Sequence, residues 1–463
     1  MPCEDEQIVF LSPGDPIMKR VLIKNGIIVT LEHPNRILRN HALFIEDGLI
    51  TDILPHKRTS NIKAQVIDAH GKVVMPGFIN AHMHFYSSFA RGLTKVEPYR
   101  NFPEILRNLW WRLDRQLTLE DCYQSTLVAG LEAIRHGTTT IIDHHASPRA
   151  INGSLDRIAG AARELGLRVC LCYEVSDRDG KKAALEGIEE NLRFIEECQA
   201  KNNNQIKALF GLHASFTLGE KTLRRCAEEA LKRRAGFHIH CAEDAVDQTI
   251  TQSEFGKRVV QRLYDHGILG PQTICAHAVH LEDQEWDLLA HTETAVVHNP
   301  QSNMNNAVGV MDLMKAAQKG VLVGLGTDAM TSNMREELRS SIWAQKLAQR
   351  NPGIAFNEAV ELLVRNNQRI ANRHFQKVGQ LQQGWMADVI LIDYFPPTEM
   401  NEDNFRGHLV FGLSQATVDT TIVGGEVLMR NKELCLLDEE KIARRSQKLA
   451  RSLWDRFYME RHK

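Results

Sequence analysis

Two histidines separated by one residue, His82 and His84, form the clearest candidate metal-binding motif of the chain. They follow the apolar run Pro76-Gly77-Phe78-Ile79-Asn80-Ala81, which is typical of a buried strand. Because side chains alternate along a strand, residues i and i+2 project to the same face. Both imidazoles are therefore predicted to bind one cation from one side.

Three more apolar runs end in residues that suit the same cation. One contains His240 and, three residues later, Glu243, whose carboxylate can reach over a metal towards a substrate. The other two end at His277 and at Asp328. Neutral histidine suits zinc or ferrous iron. The predicted metal site therefore consists of three histidines and one aspartate: His82, His84, His240 and Asp328.

A cation at this position lowers the pKa of a bound water towards neutrality and so provides hydroxide at pH 7. Asp328 is predicted to accept the proton of that water as well as to bind the cation. His238 shares the two-residue alternation with His240 and is predicted to support the site from the core.

The candidate residues belong to a set of eight apolar runs that alternate with helical segments. A repeated strand-helix order indicates a parallel α/β architecture. In a (β/α)8 TIM barrel, the carboxyl ends of the strands deliver side chains to a common pocket. The predicted fold class is therefore α/β, with a (β/α)8 TIM barrel. Each run ends in His, Asp or Glu: Val73–His84, Thr138–His145, Arg168–Glu174, Lys207–His213, Gly236–Glu243, Thr273–His277, Thr294–His298 and Val321–Asp328.

Short alternating strands with turn residues occupy both ends of the chain, and neither set is long enough to form a stable sheet alone. They are predicted to pair into one composite β-sandwich domain. The predicted divisions are residues 1–73 and 379–435 for the two halves of this domain, 74–378 for the barrel, and 436–463 for a C-terminal helix. Within the barrel, Thr118 and Asp121 are predicted to cap a helix that runs to Arg135.

The composition is that of a globular protein. The chain has 463 residues, 43% hydrophobic and 25% charged, with a formal net charge of −2. This balance favours neither nucleic acid nor a membrane as partner. No apolar stretch is long enough to cross a bilayer, and the acidic start Met1-Pro2-Cys3-Glu4-Asp5-Glu6 lacks the order of a signal peptide. Nine scattered cysteines indicate a reducing compartment, and we expect a cytoplasmic protein.

Five segments together resemble the amidohydrolase superfamily, in its metal-dependent deaminase branch. They are Pro76 to His84, His240-Cys241-Ala242-Glu243, His277, His298-Asn299-Pro300-Gln301-Ser302-Asn303 and Gly326-Thr327-Asp328. Four further stretches are similar to the SsnA-like aminohydrolases, a subfamily associated with purine breakdown: 108–114, 143–148, 302–306 and 408–412. The resemblance covers nearly the whole chain.

The resemblance implies roles for individual residues. Glu243 would shuttle a proton to a ring nitrogen, and His277 would polarise the water or the developing tetrahedral centre. His213 matches a position that touches substrate, and Asp143-His144-His145 resembles relatives that act on triazines and oxopurines, so that His144 or His145 faces the substrate or packs behind it. No lysine ends the fourth run, which favours one metal ion, zinc first and ferrous iron as alternative. By analogy, a homo-oligomer is expected.

Other substrate contacts are predicted from position. Trp110 and Trp111 follow the first strand, and Trp110 is predicted to stack on a heterocycle. The alternative for both is a hydrophobic anchor for a helix or a subunit interface. Asn303 is predicted to offer its amide to the substrate, and Arg112 and Asp114 to form a solvated pair. Guanine-type relatives carry a glutamine three residues after the second histidine, where this chain has Ser87.

The predicted activity is the release of ammonia from an amino-substituted, purine-like nitrogen heterocycle by attack of a metal-bound hydroxide. Two alternatives use the same chemistry: hydrolysis of a cyclic amide or amidine C–N bond, and chloride displacement as in chlorohydrolases. A non-catalytic metal-binding scaffold is the alternative from another class. The substrate is predicted to be a small heterocycle, with water as co-substrate.

Overall fold

The computed structural model describes residues 20–460 of the chain. The acidic start Met1 to Glu6, on which the prediction about a signal peptide depends, lies outside the described residues. Between residues 20 and 460, no helix is both long and apolar enough to cross a membrane.

In the described residues, seven strands precede the barrel. Four of them form a sheet in the order β5-β4-β1-β6, in which β1 pairs antiparallel with β4 and parallel with β6. The turn between β4 and β5 places Asp47 and Gly48 at positive φ, as a tight hairpin requires. The strands are β1 (Arg20–Lys24), β2 (Ile27–Val29), β3 (Ile37–Leu38), β4 (His41–Glu46), β5 (Leu49–Pro55), β6 (Gln65–Asp68) and β7 (Val73–Pro76).

Nine consecutive strands build the barrel, because the fourth predicted run is interrupted at Leu209. Its first part pairs with the preceding strand and its second part with the following one. All pairs are parallel, and a bridge between Met83 and Asp328 joins the first and last strands. The strands are β8 (Phe78–Met83), β9 (Thr138–Asp143), β10 (Arg168–Leu171), β11 (Ile206–Ala208), β12 (Phe210–Ala214), β13 (Phe237–Cys241), β14 (Ile274–His277), β15 (Ala295–His298) and β16 (Val323–Leu325).

Small apolar side chains from the barrel strands form one buried cluster, which includes Ile79, Ile142, Cys170, Cys172 and Val297. The helices between the strands pack outside. Thr118 and Asp121 form the predicted capping box at the start of α3.

Sixteen α-helices are present in the described residues: α1 (Phe102–Ile105), α2 (Trp111–Arg115), α3 (Leu119–Arg135), α4 (Ser154–Leu165), α5 (Gly180–Lys201), α6 (Glu220–Lys232), α7 (Ala245–Phe255), α8 (Val259–Asp265), α9 (Asp283–His291), α10 (Pro300–Asn305), α11 (Leu313–Gln318), α12 (Met334–Gln349), α13 (Phe356–Glu361), α14 (Asn367–Ala371), α15 (Phe405–Phe411) and α16 (Glu439–Met459).

Strands from both ends of the chain share one seven-stranded sheet. The C-terminal strands are β17 (Val389–Asp393), β18 (Thr417–Val423), β19 (Glu426–Arg430) and β20 (Glu433–Leu434). The order is β20-β19-β18-β17-β7-β2-β3, in which β7 and β17 pair antiparallel. The division into a barrel and a composite β-domain is consistent with this sheet and stays a proposal.

One predicted boundary is wrong. The run Val73–His84 is not a single barrel strand, because Val73–Pro76 belongs to the seven-stranded sheet and the barrel strand begins at Phe78. Gly77 separates the two: its N–H donates to the Asp388 carbonyl at 3.0 Å. A Cβ at position 77 would lie 2.2 Å from Cγ2 of Thr139, so only glycine allows this close approach.

A buried ion pair links the barrel to the start of β17. Arg168 on β10 donates from Nε and Nη2 to the two carboxylate oxygens of Asp388, each at 3.1 Å. We expect Arg168→Ala to lower the free energy of unfolding by about 3–5 kcal/mol, because a buried aspartate loses its partner. Urea unfolding followed by circular dichroism measures this change.

The matched control is Lys201→Ala, which breaks an exposed pair with Glu197. This variant should change the free energy of unfolding by about 1 kcal/mol or less. Equal effects of the two variants would contradict a structural role for the buried pair.

Candidate metal centre and catalytic site

Four side chains converge at the carboxyl ends of the barrel strands: His82, His84, His240 and Asp328. Their ligand atoms all lie within 4.8 Å of one another, and all four residues are buried. Nε2 of His84 is 3.0 Å from Oδ1 of Asp328 and 3.2 Å from Nε2 of His240. Three nitrogens and a carboxylate oxygen at this spacing match the donor set of a catalytic zinc site.

Hydrogen bonds at Nδ1 orient the three imidazoles. Nδ1 of His82 lies 2.8 Å from Nε2 of His238, whereas His84 and His240 donate from Nδ1 to backbone carbonyls at 2.5 and 3.0 Å. Nε2 of each ring is thus the nitrogen that faces the other candidate ligands. Within the described residues, the buried Nε2 of His82 has no hydrogen-bond partner. A bound metal ion would be the partner of such a nitrogen. The residues present therefore fit a divalent cation.

Burial keeps two of these imidazoles neutral. It lowers the pKa of His82 to about 3 and that of His240 well below the usual histidine value. Burial alone would raise the pKa of Asp328, but the adjacent imidazoles of His82 and His84 lower it well below that of an ordinary aspartate. The pKa of His84 is raised to about 9, because the Asp328 carboxylate outweighs the effect of burial. A cation binds neutral imidazoles and an ionised carboxylate, so His84 would release its proton when a cation binds.

A second group adjoins the first and shares Asp328 with it. Nε2 of His277 is 3.5 Å from Oε2 of Glu243 and 3.8 Å from Oδ2 of Asp328. Burial, together with the nearby Asp328 carboxylate, raises the pKa of Glu243 well above that of an ordinary glutamate. A carboxyl group with a raised pKa can hold a proton near neutral pH and deliver it to a substrate.

The backbone is strained at this group. His277 and Asp328 have φ of 76° and 52°, and Ala242, next to Glu243, has φ of 48°. Non-glycine residues rarely adopt positive φ, and such strain concentrates at functional sites. These turns redirect the chain at the strand ends and place the side chains towards the barrel axis.

A cavity opens beside the two groups. Ser87 is not among the residues that line it, and the Ser87 hydroxyl donates to the His84 carbonyl at 2.7 Å. Apolar side chains form much of its wall: Tyr86, Phe102, Leu106, Trp110, Trp111, Ala214, Phe216, Ala329 and Met330. Polar side chains form the rest: His84, Asp114, Glu174, His213, His240, Glu243, Asp247, Ser302, Asn305, Asn306 and Asp328.

Comparison with known proteins agrees with this geometry. The amidohydrolase family model matches residues 73–428. The 5'-deoxyadenosine deaminase of Methanosarcina acetivorans is 33% identical over 94% of this chain and 99% of its own length. The chain belongs to the amidohydrolase family. The 5-methylthioadenosine/S-adenosylhomocysteine deaminase of Pelotomaculum thermopropionicum is 31% identical to this amidohydrolase over 95% of the chain and 100% of the relative.

A zinc-bound adenosine deaminase from Xanthomonas campestris has the same fold as this amidohydrolase. Its TM-score is 0.83 at 21% identity, with 95% of this chain and 98% of the other covered. The predictions of the superfamily, of the barrel fold and of a deaminase-type hydrolase acting on a carbon–nitrogen bond are confirmed. The finer likeness to the SsnA-like subfamily stays a prediction.

The residues predicted to contact substrate divide into two pairs. His213 and Trp110 line the cavity of the amidohydrolase. His145 and Asn303 do not: Nε2 of His145 is bonded to Ser147 at 2.9 Å, and the Asn303 amide contacts Nδ1 of His277 at 3.1 Å. A strand end predicts which residues are near the site, but not which way each side chain turns.

The predicted solvated pair of Arg112 and Asp114 is wrong. Asp114 is only 1% exposed and forms an ion pair with Arg178, whereas Arg112 donates to the Phe457 carbonyl at 3.0 Å. The two side chains of this short helix point in different directions, so that Asp114 faces the cavity and Arg112 faces the C-terminal helix.

The sequence analysis missed several polar residues of the site. The Ser302 hydroxyl donates to Oδ2 of Asp328, and the Asn306 amide donates to Oε1 of Glu243 at 3.4 Å. Asp247 and Glu174 line the cavity. Only Glu174 had a signal in the sequence, because it ends the third apolar run.

His238 contacts Nδ1 of His82, one of the four residues predicted to bind a cation in this amidohydrolase. We expect His238→Ala to weaken metal affinity by about 10–100-fold, because the partner that orients an imidazole ligand is lost. Metal retention against a chelator such as dipicolinate measures this change. His238→Gln, which retains a polar group, should recover part of the affinity; unchanged affinity in both variants would contradict the positioning role.

Proposed function

We propose that this amidohydrolase is a metal-dependent aminohydrolase that releases ammonia from the amino-substituted ring of an adenine nucleoside. The observation that carries the proposal is the juxtaposition of Glu243, His277 and Asp328 beside the imidazoles of His82, His84 and His240. This arrangement supplies a proton donor, a proton acceptor and a metal site within one cavity. The reaction consumes water and yields an oxo-substituted ring and ammonia.

His82, His84, His240 and Asp328 are the proposed metal ligands. When bound, a divalent cation lowers the pKa of water and so supplies a nucleophile at neutral pH. We propose one ion per chain, zinc rather than ferrous iron, because the zinc-bound adenosine deaminase has the same fold. No lysine lines the cavity in the part of the chain that the structure describes, which agrees with a mononuclear site.

The proton transfers are assigned to three side chains. Asp328 accepts the proton of the attacking water and passes it to the departing amine, so that ammonia leaves instead of the amide ion. Glu243 gives its proton to the ring nitrogen next to the carbon under attack. It takes back the hydroxyl proton of the tetrahedral centre as the C–N bond breaks and the C=O bond forms. His277, which the Asn303 amide holds in place, hydrogen-bonds to the oxygen of the developing tetrahedral centre. General acid–base steps of this kind contribute about two to four orders of magnitude each.

The aromatic wall favours a flat heterocycle. Trp110 contacts the ring of Tyr86 edge-on at 6.4 Å between centroids, and both residues line the cavity. His213 lies on β12, and its ring centroid is 5.6 Å from that of His240. A purine between these groups gains stacking and edge contacts.

The substrate class follows from the relatives and from Ser87. Relatives that cover nearly the whole chain are deaminases of 5'-deoxyadenosine and of 5-methylthioadenosine/S-adenosylhomocysteine. The Ser87 hydroxyl is bonded to its own backbone turn and has no amide with which to recognise a guanine edge. An adenine nucleoside is therefore favoured over guanine or 8-oxoguanine.

An ammonia-release screen tests the proposal. It covers adenosine, 5'-deoxyadenosine, guanine, pterins, triazines and cyclic ureides, with metal content determined by elemental analysis. We expect about one equivalent of zinc per chain and ammonia from the adenine nucleosides. Ring opening without ammonia would support a cyclic-amide hydrolase. Chloride release from a chlorotriazine, with no other substrate turned over, would support a chlorohydrolase. Bound metal without any turnover would support a non-catalytic scaffold.

A further inference from the structure

One short helix contacts all three members of the proton-transfer group, defined here as Glu243, His277 and Asp328. The members lie at or just after the ends of three different barrel strands, β13, β14 and β16. Each of them is hydrogen-bonded to a different residue of α10 or of its C-terminal cap. The contacts are Ser302 to Asp328, Asn303 to His277 at 3.1 Å, and Asn306 to Glu243 at 3.4 Å. A single element of the fold therefore touches every side chain to which the proposed reaction assigns a step.

The helix α10 is fixed to the neighbouring helix α12. The Gln301 N–H donates to Oε2 of Glu337 at 3.2 Å, and Nε2 of Gln301 donates to the Ser340 hydroxyl at 3.2 Å. Pro300 lies in the first turn of α10, where its missing N–H leaves no helical hydrogen bond unmade. Side chains on an anchored helix hold a site more precisely than side chains on a loop. The helix can therefore serve as a rigid support for the proton-transfer group.

The two carboxylate oxygens of Asp328 have different neighbours. Oδ1 lies 3.0 Å from Nε2 of His84 and 3.6 Å from Nε2 of His82, so it faces the candidate metal ligands. Oδ2 accepts the Ser302 hydroxyl and lies 3.8 Å from Nε2 of His277. Because Ser302 holds one oxygen, rotation of the carboxylate about its Cβ–Cγ bond is restricted. Each oxygen thus stays on its own side of the site.

A hydroxyl is well suited to this contact with Asp328. It can both donate and accept a hydrogen bond. Ser302 can donate to the ionised carboxylate, and it can accept from Oδ2 once that oxygen carries the proton of the water. The contact between the two side chains therefore survives the proton transfer. Ser302 is 2% exposed, so bulk water does not compete for its hydroxyl.

Asn306 joins Ser302 to the other carboxyl group. Its Nδ2 lies 3.4 Å from the Ser302 hydroxyl oxygen and 3.4 Å from Oε1 of Glu243. An amide nitrogen carries two hydrogens, so it can make both contacts at once. The other oxygen of Glu243, Oε2, is the one that lies near His277, 3.5 Å from its Nε2. Two side chains of one helical turn thus connect the proposed acid to the proposed base.

We infer that Ser302 and Asn306 are positioning residues whose hydrogen bonds set the orientation of the Asp328 and Glu243 carboxyl groups for proton transfer. The inference rests on the proposed function and adds the residues that hold its acid and its base. Neither residue is a candidate metal ligand, and neither takes up a proton. Loss of one contact leaves all reacting groups present but wrongly oriented, and a misplacement of about 1 Å can lower a rate by about a hundredfold.

The test measures kcat and KM for 5'-deoxyadenosine, and zinc affinity against a chelator such as dipicolinate, in Ser302→Ala and Asn306→Ala. We expect kcat to fall by about 10–100-fold in each variant, while KM stays near the wild-type value. Zinc affinity should fall by about tenfold in Ser302→Ala, because the partner of Ser302 is a candidate ligand. It should stay unchanged in Asn306→Ala. Ser302→Thr, which keeps the hydroxyl, should recover most of the lost kcat.

The double variant tests whether the two residues act together. Either substitution alone breaks the connection between Glu243 and Asp328, so the loss of kcat in the double variant should be smaller than the product of the two single losses. The matched control is Ser253→Ala, at an exposed position of α7, which should leave kcat, KM and zinc affinity unchanged. Losses that multiply would overturn the joint role.

Two further outcomes would contradict the inference alone. Wild-type kcat in both single variants would show that the hydrogen bonds do not orient the carboxyl groups. A raised KM with unchanged kcat would make the two residues substrate contacts, since both line the cavity. Absence of ammonia from the wild-type enzyme would instead overturn the proposed function, and the inference with it.

Discussion

Ammonia release by the Glu243→Gln variant is expected to fall by about two to four orders of magnitude while the metal stays bound. Glutamine has the size of glutamate and can keep the contact between residue 243 and the Asn306 amide, but it carries no transferable proton. The ring nitrogen next to the attacked carbon is then left without its acid. The measurements are kcat for 5'-deoxyadenosine and metal content by elemental analysis on the same preparation.

Two controls keep this result interpretable. Glu254→Gln makes the same chemical change on the exposed face of α7 and should leave kcat unchanged. Circular dichroism should show the wild-type fold in both variants. Normal turnover by Glu243→Gln would exclude the proposed proton transfer, whereas loss of metal would make residue 243 a ligand instead of an acid.

The His240→Ala variant should lose metal retention and turnover together. His240 presents Nε2 3.2 Å from that of His84, and its Nδ1 donates to a backbone carbonyl. Removing one of three imidazoles leaves too few ligands for tight binding. Because the metal contributes several kcal/mol to catalysis, we expect activity to fall at least about a thousandfold. Elemental analysis and the ammonia assay measure the two losses.

His291→Ala is the matched control, since His291 lies exposed at the end of α9. It should retain metal and activity. Metal content at the wild-type level in His240→Ala would move the ligand set elsewhere. The group of Glu243, His277 and Asp328, which does not include His240, would then be the first alternative.

The candidate metal site could be predicted from the sequence because the pattern that indicates it lies within short segments. Two histidines two residues apart on a buried strand must share a face, whatever the rest of the chain does. The capping box at Thr118 and Asp121 is local in the same sense, since both groups lie within one helical turn. Strand-ending residues were also predictable as neighbours, because parallel strands in a barrel end at one face.

The sequence could not predict which way a side chain turns after its strand ends. Asn303 turns to His277 and away from the cavity, and Asp114 pairs with Arg178, 64 residues away. Nothing in the local pattern encodes such partners, because each contact depends on how two separate loops pack. The same reason explains why Val73–Pro76 leaves the barrel at Gly77: the approach of Thr139 is a tertiary contact.

The sequence by itself thus predicted the fold class, the candidate metal ligands His82, His84, His240 and Asp328, and the proximity of Glu243 and His277. Periodicity and strand ends, which are properties of short segments, were sufficient for these. The tertiary structure decided the orientation of the imidazoles, the residues that line the cavity and the position of Glu174 beside His240. These depend on atoms brought together from distant segments, and only the closed barrel defines their distances.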